Sequence, residues 1–176
     1  SSWKLRIGIY ITKSKIQIID NAGGIAEKDY SRAFRAAARP QNREGLSEFG
    51  MGMKTAACWF SPVWEVKSKA FGESVQKTVK FDIAKIVKDD IEELDIKEIP
   101  AKRDQHGTEI TLFQLRRGHE GPTKKKIKDH LASMYRLYIK KNEIEIRVND
   151  EKLEYKMPPL LHAPFFHEVG VVKNNK

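Results

Sequence analysis

An apolar run that stops abruptly at Asp20-Asn21-Ala22-Gly23-Gly24 constrains this chain's fold more than any other feature. Two segments precede the stop, Arg6-Ile7-Gly8-Ile9-Tyr10-Ile11 and Lys15-Ile16-Gln17-Ile18-Ile19, separated by the polar turn Thr12-Lys13-Ser14. Both alternate or run apolar, which predicts two strands. Asp, Asn and Gly in succession are turn chemistry. The second strand therefore ends on a carboxylate.

Downstream, the residues from about Glu27 to Ala38 suit a helix carrying Tyr30, Phe34 and an alanine cluster. Pro40 and Asn42 break it. Gly45 to Gly52 forms a second glycine-rich segment, and a helix starting near Gly50 places Met53, Ala56, Ala57 and Phe60 at core spacing. Strands are expected at Val63 to Ser68 and Val75 to Phe81, with Asp82 capping a short helix that holds Ile83, Ile86 and Val87. The charged stretch Asp89 to Asp104, with Pro100, reads as a surface excursion. A strand over Thr108 to Phe113 follows. A helix from Pro122 to Ile139 would set Ile127, Leu131, Met134, Leu137 and Tyr138 on one apolar stripe. Glu143 to Val148 alternates as a strand, Asn149-Asp150 is a turn, and another short strand lies around Leu153. The tail after Met157, with Pro158, Pro159 and Pro164, suits an extended segment reaching towards a neighbour. Grouped strands with helices between them, not regularly alternating, give an α+β sandwich with helices on one sheet face.

At 176 residues the chain fits one domain with its own core. No run of roughly 18 apolar residues occurs, so no membrane-spanning helix is expected. The N-terminus lacks the apolar stretch of a secretory signal, and it lacks an initiating Met. Cys58 is the only cysteine and sits in an apolar run, which suits a core thiol in a reducing compartment. That favours an intracellular protein, cytoplasmic, or nuclear in a eukaryote. The formal net charge of +9 admits nucleic acid, anionic surfaces or phosphorylated ligands as partners. The cations are dispersed, though, apart from Lys124-Lys125-Lys126 and Lys140-Lys141, and a solvated helix face accounts for most of them.

Three segments carry chemistry. The Asp20 carboxylate can accept a hydrogen bond from an exocyclic amino group such as that of adenine, an interaction strengthened by burial beside an apolar base. Taken alone, composition favours an ordinary strand-to-turn Asp. In Gly45-Leu46-Ser47-Glu48-Phe49-Gly50-Met51-Gly52-Met53-Lys54 the glycines let the backbone approach a ligand closely. A helix starting there aims free N–H groups and its dipole at the same place, which makes an anion site fit for polyphosphate. Lys54 adds a cation or is a solvated surface lysine. The segment is neither a Walker A loop nor a dinucleotide fingerprint. In His106-Gly107-Thr108, Thr108 can hydrogen-bond a base directly or through a water shared with Asp20, or simply be a β-branched strand residue.

Taken in this order, the segments resemble the superfamily of DNA gyrase, heat-shock chaperone, histidine kinase and MutL ATPases. The shared unit of that superfamily is the Bergerat fold, a sandwich with a mixed, mostly antiparallel sheet. Its DxGxG motif falls on Asp20, Ala22 and Gly24. Its lid falls on Gly45, Gly50 and Gly52, and its later Gly-Thr on Gly107 and Thr108. Phe49-Gly50-Met51-Gly52-Met53-Lys54-Thr55-Ala56-Ala57 and the later helix, strand and Asn149-Asp150 turn look closest to the MORC and MutL branch. The resemblance implies that Asp20, Ala22, Gly24 and Thr108 serve the base, and that Gly45, Phe49, Gly50, Met51, Gly52, Met53 and Lys54 serve the phosphates. It also implies ATP with Mg²⁺ as cofactors, slow hydrolysis to ADP, and an ATP-dependent homodimer that clamps or switches within a larger, DNA-associated protein. Residues 1–121 would form the ATP-binding unit, and 122–176 would continue it as helix, hairpin and tail. The competing class is a non-catalytic nucleic-acid-binding module with a degenerate nucleotide pocket.

Two departures stand out. Ala22 replaces the first glycine of DxGxG, which is harmless if its φ is negative. The family's upstream helix, with a Glu that activates water and an Asn that binds Mg²⁺, finds no counterpart in Ser1 to Arg6. Truncation at the start is the favoured explanation, since the first strand begins almost at the terminus. The catalytic residues are accordingly left unassigned. The five histidines show no metal-ligand spacing, and Trp3, Trp59 and Trp64 read as core or interface anchors rather than base-stacking platforms.

Overall fold

The structure, a computed structural model, describes residues 3–34, 52–91, 93–119 and 121–157. Eight strands form one sheet in the order β5-β4-β3-β6-β2-β1-β7-β8. In chain order they are β1 (Leu5–Ile11), β2 (Lys15–Asp20), β3 (Val63–Lys69), β4 (Val75–Asp82), β5 (Ile96–Pro100), β6 (Gly107–Phe113), β7 (Ile144–Val148) and β8 (Glu151–Lys152). Every neighbouring pair is antiparallel except β1 and β7. The helices are α1 (Tyr30–Phe34), which a single turn over Glu27–Asp29 precedes, α2 (Gly52–Phe60), α3 (Ile83–Lys88), α4 (Pro122–Met134) and α5 (Arg136–Lys140). This is the α+β sandwich that the strand grouping predicts.

Strand register divides the sheet into two chemical faces. Ile9 pairs with Ile18, Ile18 with Ile110, Ile110 with Val66, and Val66 with Val79, so one row of apolar side chains crosses five strands. With Ile11, Ile16, Leu112, Trp64, Phe81 and Ile146 they make the core. Tyr30, Phe34, Ala57, Ile127 and Ala132 pack into the same cluster, which puts the helices on that face. Trp64 is fully buried and stacks on Phe81 at 3.8 Å between ring centroids. The opposite face is polar: Gln17 Nε2 donates to Glu109 at 2.7 Å, and Lys67 pairs with the same carboxylate at 3.5 Å.

Local signals hold at several ends. The Asp82 side chain accepts from Lys85 N at 3.1 Å and caps α3. Asn149 and Asp150 both take positive φ, 49° and 66°, the conformation of a tight hairpin turn. Several expectations need correction. The surface excursion over Asp89 to Asp104 contains β5, an edge strand paired to β4 and exposed along its length. Its charges hid it, because an edge strand needs no apolar face, and Pro100 sits at its end, where a ladder donor is dispensable. The helix expected from Pro122 to Ile139 is interrupted at Tyr135, and Met134, Leu137 and Tyr138 are exposed. The break changes the helical phase, and Tyr135 and Ile139 pack against the core in their place. Trp59 and Trp3 are 79% and 63% exposed, so only Trp64 is a core anchor. Cys58 is half-buried rather than enclosed. Among the described residues no helix is long and apolar enough to cross a membrane.

Candidate functional site

Continuing the register beyond the apolar rows gives a polar row at one end of the helix-bearing face. Lys77 pairs with Ser68, and Ser68 with Thr108. Asp20 follows as the last residue of β2, beside Thr108. The same alternation that buries Val66 and Ile110 thus delivers a lysine, two hydroxyls and a carboxylate side by side.

Asp20 is anchored through one oxygen. Its Oδ1 accepts the Ala22 N–H at 2.8 Å, a turn-forming bond, and the Thr108 N–H at 3.2 Å. Among the described residues Oδ2 takes no hydrogen bond. The carboxylate is therefore oriented by the backbone and keeps an acceptor available. Asn21 ties the turn to β1: its Oδ1 accepts Arg6 N at 2.7 Å, and its Nδ2 donates to Lys4 O at 3.1 Å. His106 Nδ1 donates to Ala22 O at 2.8 Å.

Two glycines are required here by close approach. Gly24 has φ +73°, and a Cβ on it would overlap the Lys69 carbonyl. Gly107 has φ +137°, and a Cβ there would overlap the Asp20 carbonyl. Ala22 takes no positive φ, so its replacement of glycine leaves the turn unstrained.

Ser68 is the residue that sequence reasoning passed over. It is 2% exposed, its Oγ accepts Ile25 N at 2.8 Å, and it lies 3.0 Å from Thr108 Oγ1. One hydroxyl thus joins the turn after Asp20 to the strand that carries Thr108. A serine at a strand end gives no local hint of this; its pairing with Thr108 across two strands does. Tyr30 packs above, its phenol pushed up to about 12 chiefly by burial. Lys77 is buried beneath it, ion-paired with Glu98 at 2.9 Å and with Glu27, its ammonium 5.2 Å from the Tyr30 ring centre. Two carboxylates and a ring face thus compensate a cation that would otherwise be costly to bury.

Asp20, Ala22, Gly24 and Thr108 are therefore brought together. Gly52 opens α2, Met53 packs against the core, and Lys54 Nζ donates to Ala33 O at 2.9 Å, with burial lowering its pKa. Gly45, Phe49, Gly50 and Met51 lie outside the described residues. A cleft of about 570 Å³ opens beside the turn, lined by Trp3, Lys4, Arg6, Asn21, Gln105 and His106 among others.

A mostly antiparallel sandwich with an oriented carboxylate, a tight glycine turn and a partnered Gly-Thr defines the Bergerat class of fold. Residues 4–108 match the family described as histidine kinase-, DNA gyrase B- and HSP90-like ATPase. The chain belongs to that family. Among solved structures it is similar to the ATPase region of Saccharomyces cerevisiae topoisomerase II, at 13% identity and a TM-score of 0.59 over 86% of this chain and 44% of that one. It is also similar to the ATPase and transducer domains of Balamuthia mandrillaris DNA topoisomerase II, at 11% identity and TM-score 0.56 over 84% and 42%. The Aquifex aeolicus MutL ATPase domain complexed with ADP aligns at 13% identity and TM-score 0.50 over 86% and 57%. The chain thus spans about half the length of these structures. No curated protein matches it by sequence.

Proposed function

We propose that this chain binds ATP and serves as the nucleotide-dependent switch of a larger protein. The observation that carries this reading is the Asp20 carboxylate, oriented through Oδ1 with Oδ2 open beside Thr108. An acceptor next to a hydroxyl matches an adenine edge, on which the exocyclic amino group donates and the adjacent ring nitrogen accepts. Asp20 takes the amino group and Thr108 supports the ring nitrogen. Gly45 to Lys54 close over the phosphates, with the free N–H groups at the start of α2 directed at them.

Family membership supports hydrolysis of ATP as the reaction. Among the described residues no group of three or more His, Cys, Asp or Glu side chains could hold a metal ion. In our reading Mg²⁺ enters with the polyphosphate. Lid ordering on the γ-phosphate is the switch, and ATP-dependent dimerisation is its output. A place on the MORC and MutL branch, in a DNA-associated protein, agrees with the basic charge of +9. The test is isothermal titration of the chain with a non-hydrolysable ATP analogue and Mg²⁺, in parallel with ADP. Saturable one-to-one binding of both is expected; no binding of either overturns the reading.

A further inference from the structure

The last turn of α2 and the loop after β6 build a second feature that the nucleotide reading leaves unused. Trp59 stands 79% exposed at the rim of a cavity of about 360 Å³, walled by Phe60, Arg116, Arg117 and His119. The Arg116 N–H donates to Phe60 O at 3.0 Å, and His119 meets the Phe60 ring edge-on at 5.1 Å, so loop and helix are fastened together. Among the described residues no carboxylate lines this pocket, and neither arginine forms a salt bridge.

A larger cleft of about 690 Å³ starts two residues further on, at Gly121, and runs between α4 and β8. Two Cα–Cα steps from His119 cover no more than about 7–8 Å. Five lysines line this cleft, at 124, 125, 128, 152 and 156, against the carboxylates of Asp129, Glu151 and Glu154. Only Lys128 is ion-paired there, with Glu151 at 2.5 Å; the other four form no salt bridge among the described residues. An aromatic pocket with two guanidinium groups that form no salt bridge among the described residues thus lies within two residues in the chain of a lysine-rich groove.

We propose that this surface binds single-stranded nucleic acid, with a base stacked on Trp59 between the arginines and the following phosphates led along the α4–β8 lysines. An indole and guanidinium planes accept the face of any base, and unpaired cations accept a charge carried by every repeating unit. A duplex hides its base faces and leaves Trp59 unused. A short acidic peptide satisfies the cations but has no planar group at each repeat to match the indole. The surface is separate from the Asp20 turn, so this inference stands or falls independently of the nucleotide reading.

The test is fluorescence anisotropy of a labelled thymidine oligonucleotide, roughly 20 residues long, with the full chain at several salt concentrations. Wild type should bind, with affinity falling linearly on a log–log salt plot. Trp59→Ala, at an exposed position, should weaken binding roughly tenfold with the salt slope unchanged, the effect of losing one stacked base. The double variant Lys124→Ala/Lys125→Ala, which removes two of the phosphate-facing cations, should weaken binding and reduce the slope by about 1.4. Asp20→Asn should bind the oligonucleotide as wild type does. Absence of binding at low salt overturns the proposal, as does an unchanged affinity in Trp59→Ala. Poly-glutamate of matched charge competing as well as the oligonucleotide also overturns it, because the surface is then a site for acidic peptide.

Discussion

Replacing Asp20 by Asn separates the turn-forming role of this residue from its proposed ligand role. In the structure Oδ1 holds the Ala22 and Thr108 N–H groups at 2.8 and 3.2 Å. An Asn carbonyl can accept both, so the turn survives. The cost is the difference between charge-assisted and neutral bonds, about 1 kcal/mol of stability. At Oδ2 the change is larger, since an NH₂ donor now faces the amino donor of adenine. Losing a hydrogen bond to a charged acceptor is worth about 1.5–3 kcal/mol, a roughly 10- to 150-fold weaker Kd. The assay is isothermal titration with ADP, alongside thermal unfolding. Asp20→Ala is the control: it strips both backbone N–H groups of their acceptor and should cost about 2 kcal/mol or more in stability. Wild-type ADP affinity in Asp20→Asn would refute the argument. So would a loss of binding that merely tracks a loss of fold.

Three further outcomes follow from the geometry. Gly24→Ala puts a Cβ into the Lys69 carbonyl at φ +73°, so thermal unfolding should show a loss of about 2 kcal/mol or more, whereas Ala22→Gly should cost no more than about 1 kcal/mol. Tyr30 keeps its proton in the fold up to about pH 12, while the unfolded phenol releases it near its ordinary value. The unfolded state then binds fewer protons between about pH 10 and 12, so stability should fall by about 2 kcal/mol over that window, and Tyr30→Phe should flatten the fall in denaturant titrations. Trp64 is fully buried, and among the described residues its Nε1 has no partner. Trp64→Ala should cost about 3–5 kcal/mol by urea melts, and Trp64→Phe distinctly less, since it also removes the orphaned donor.

Much of the fold and part of the site were legible in the residues. Period-two apolar runs over Ile7 to Ile11, Ile16 to Ile19 and Val63 to Ser68 specify strands because every second side chain must be buried together. Asp82 and Asn149-Asp150 mark their ends by side-chain chemistry that acts within a few residues. The Asp20 turn was legible for the same reason: the Asp20–Ala22 bond and the positive φ of Gly24 are local. What the sequence could not reveal is whatever depends on partners distant in the chain. β5 is a strand only because β4 offers an edge. The break at Tyr135 changes the helical phase and leaves Leu137 in solvent. Ser68 matters because register sets it against Thr108, 40 residues later. Trp59 reads as an anchor until the sheet places Arg116 and Arg117 beside it. Local chemistry determined where this chain turns and what those turns can hold. Strand register, a property of the whole sheet, decided which side chains share a surface.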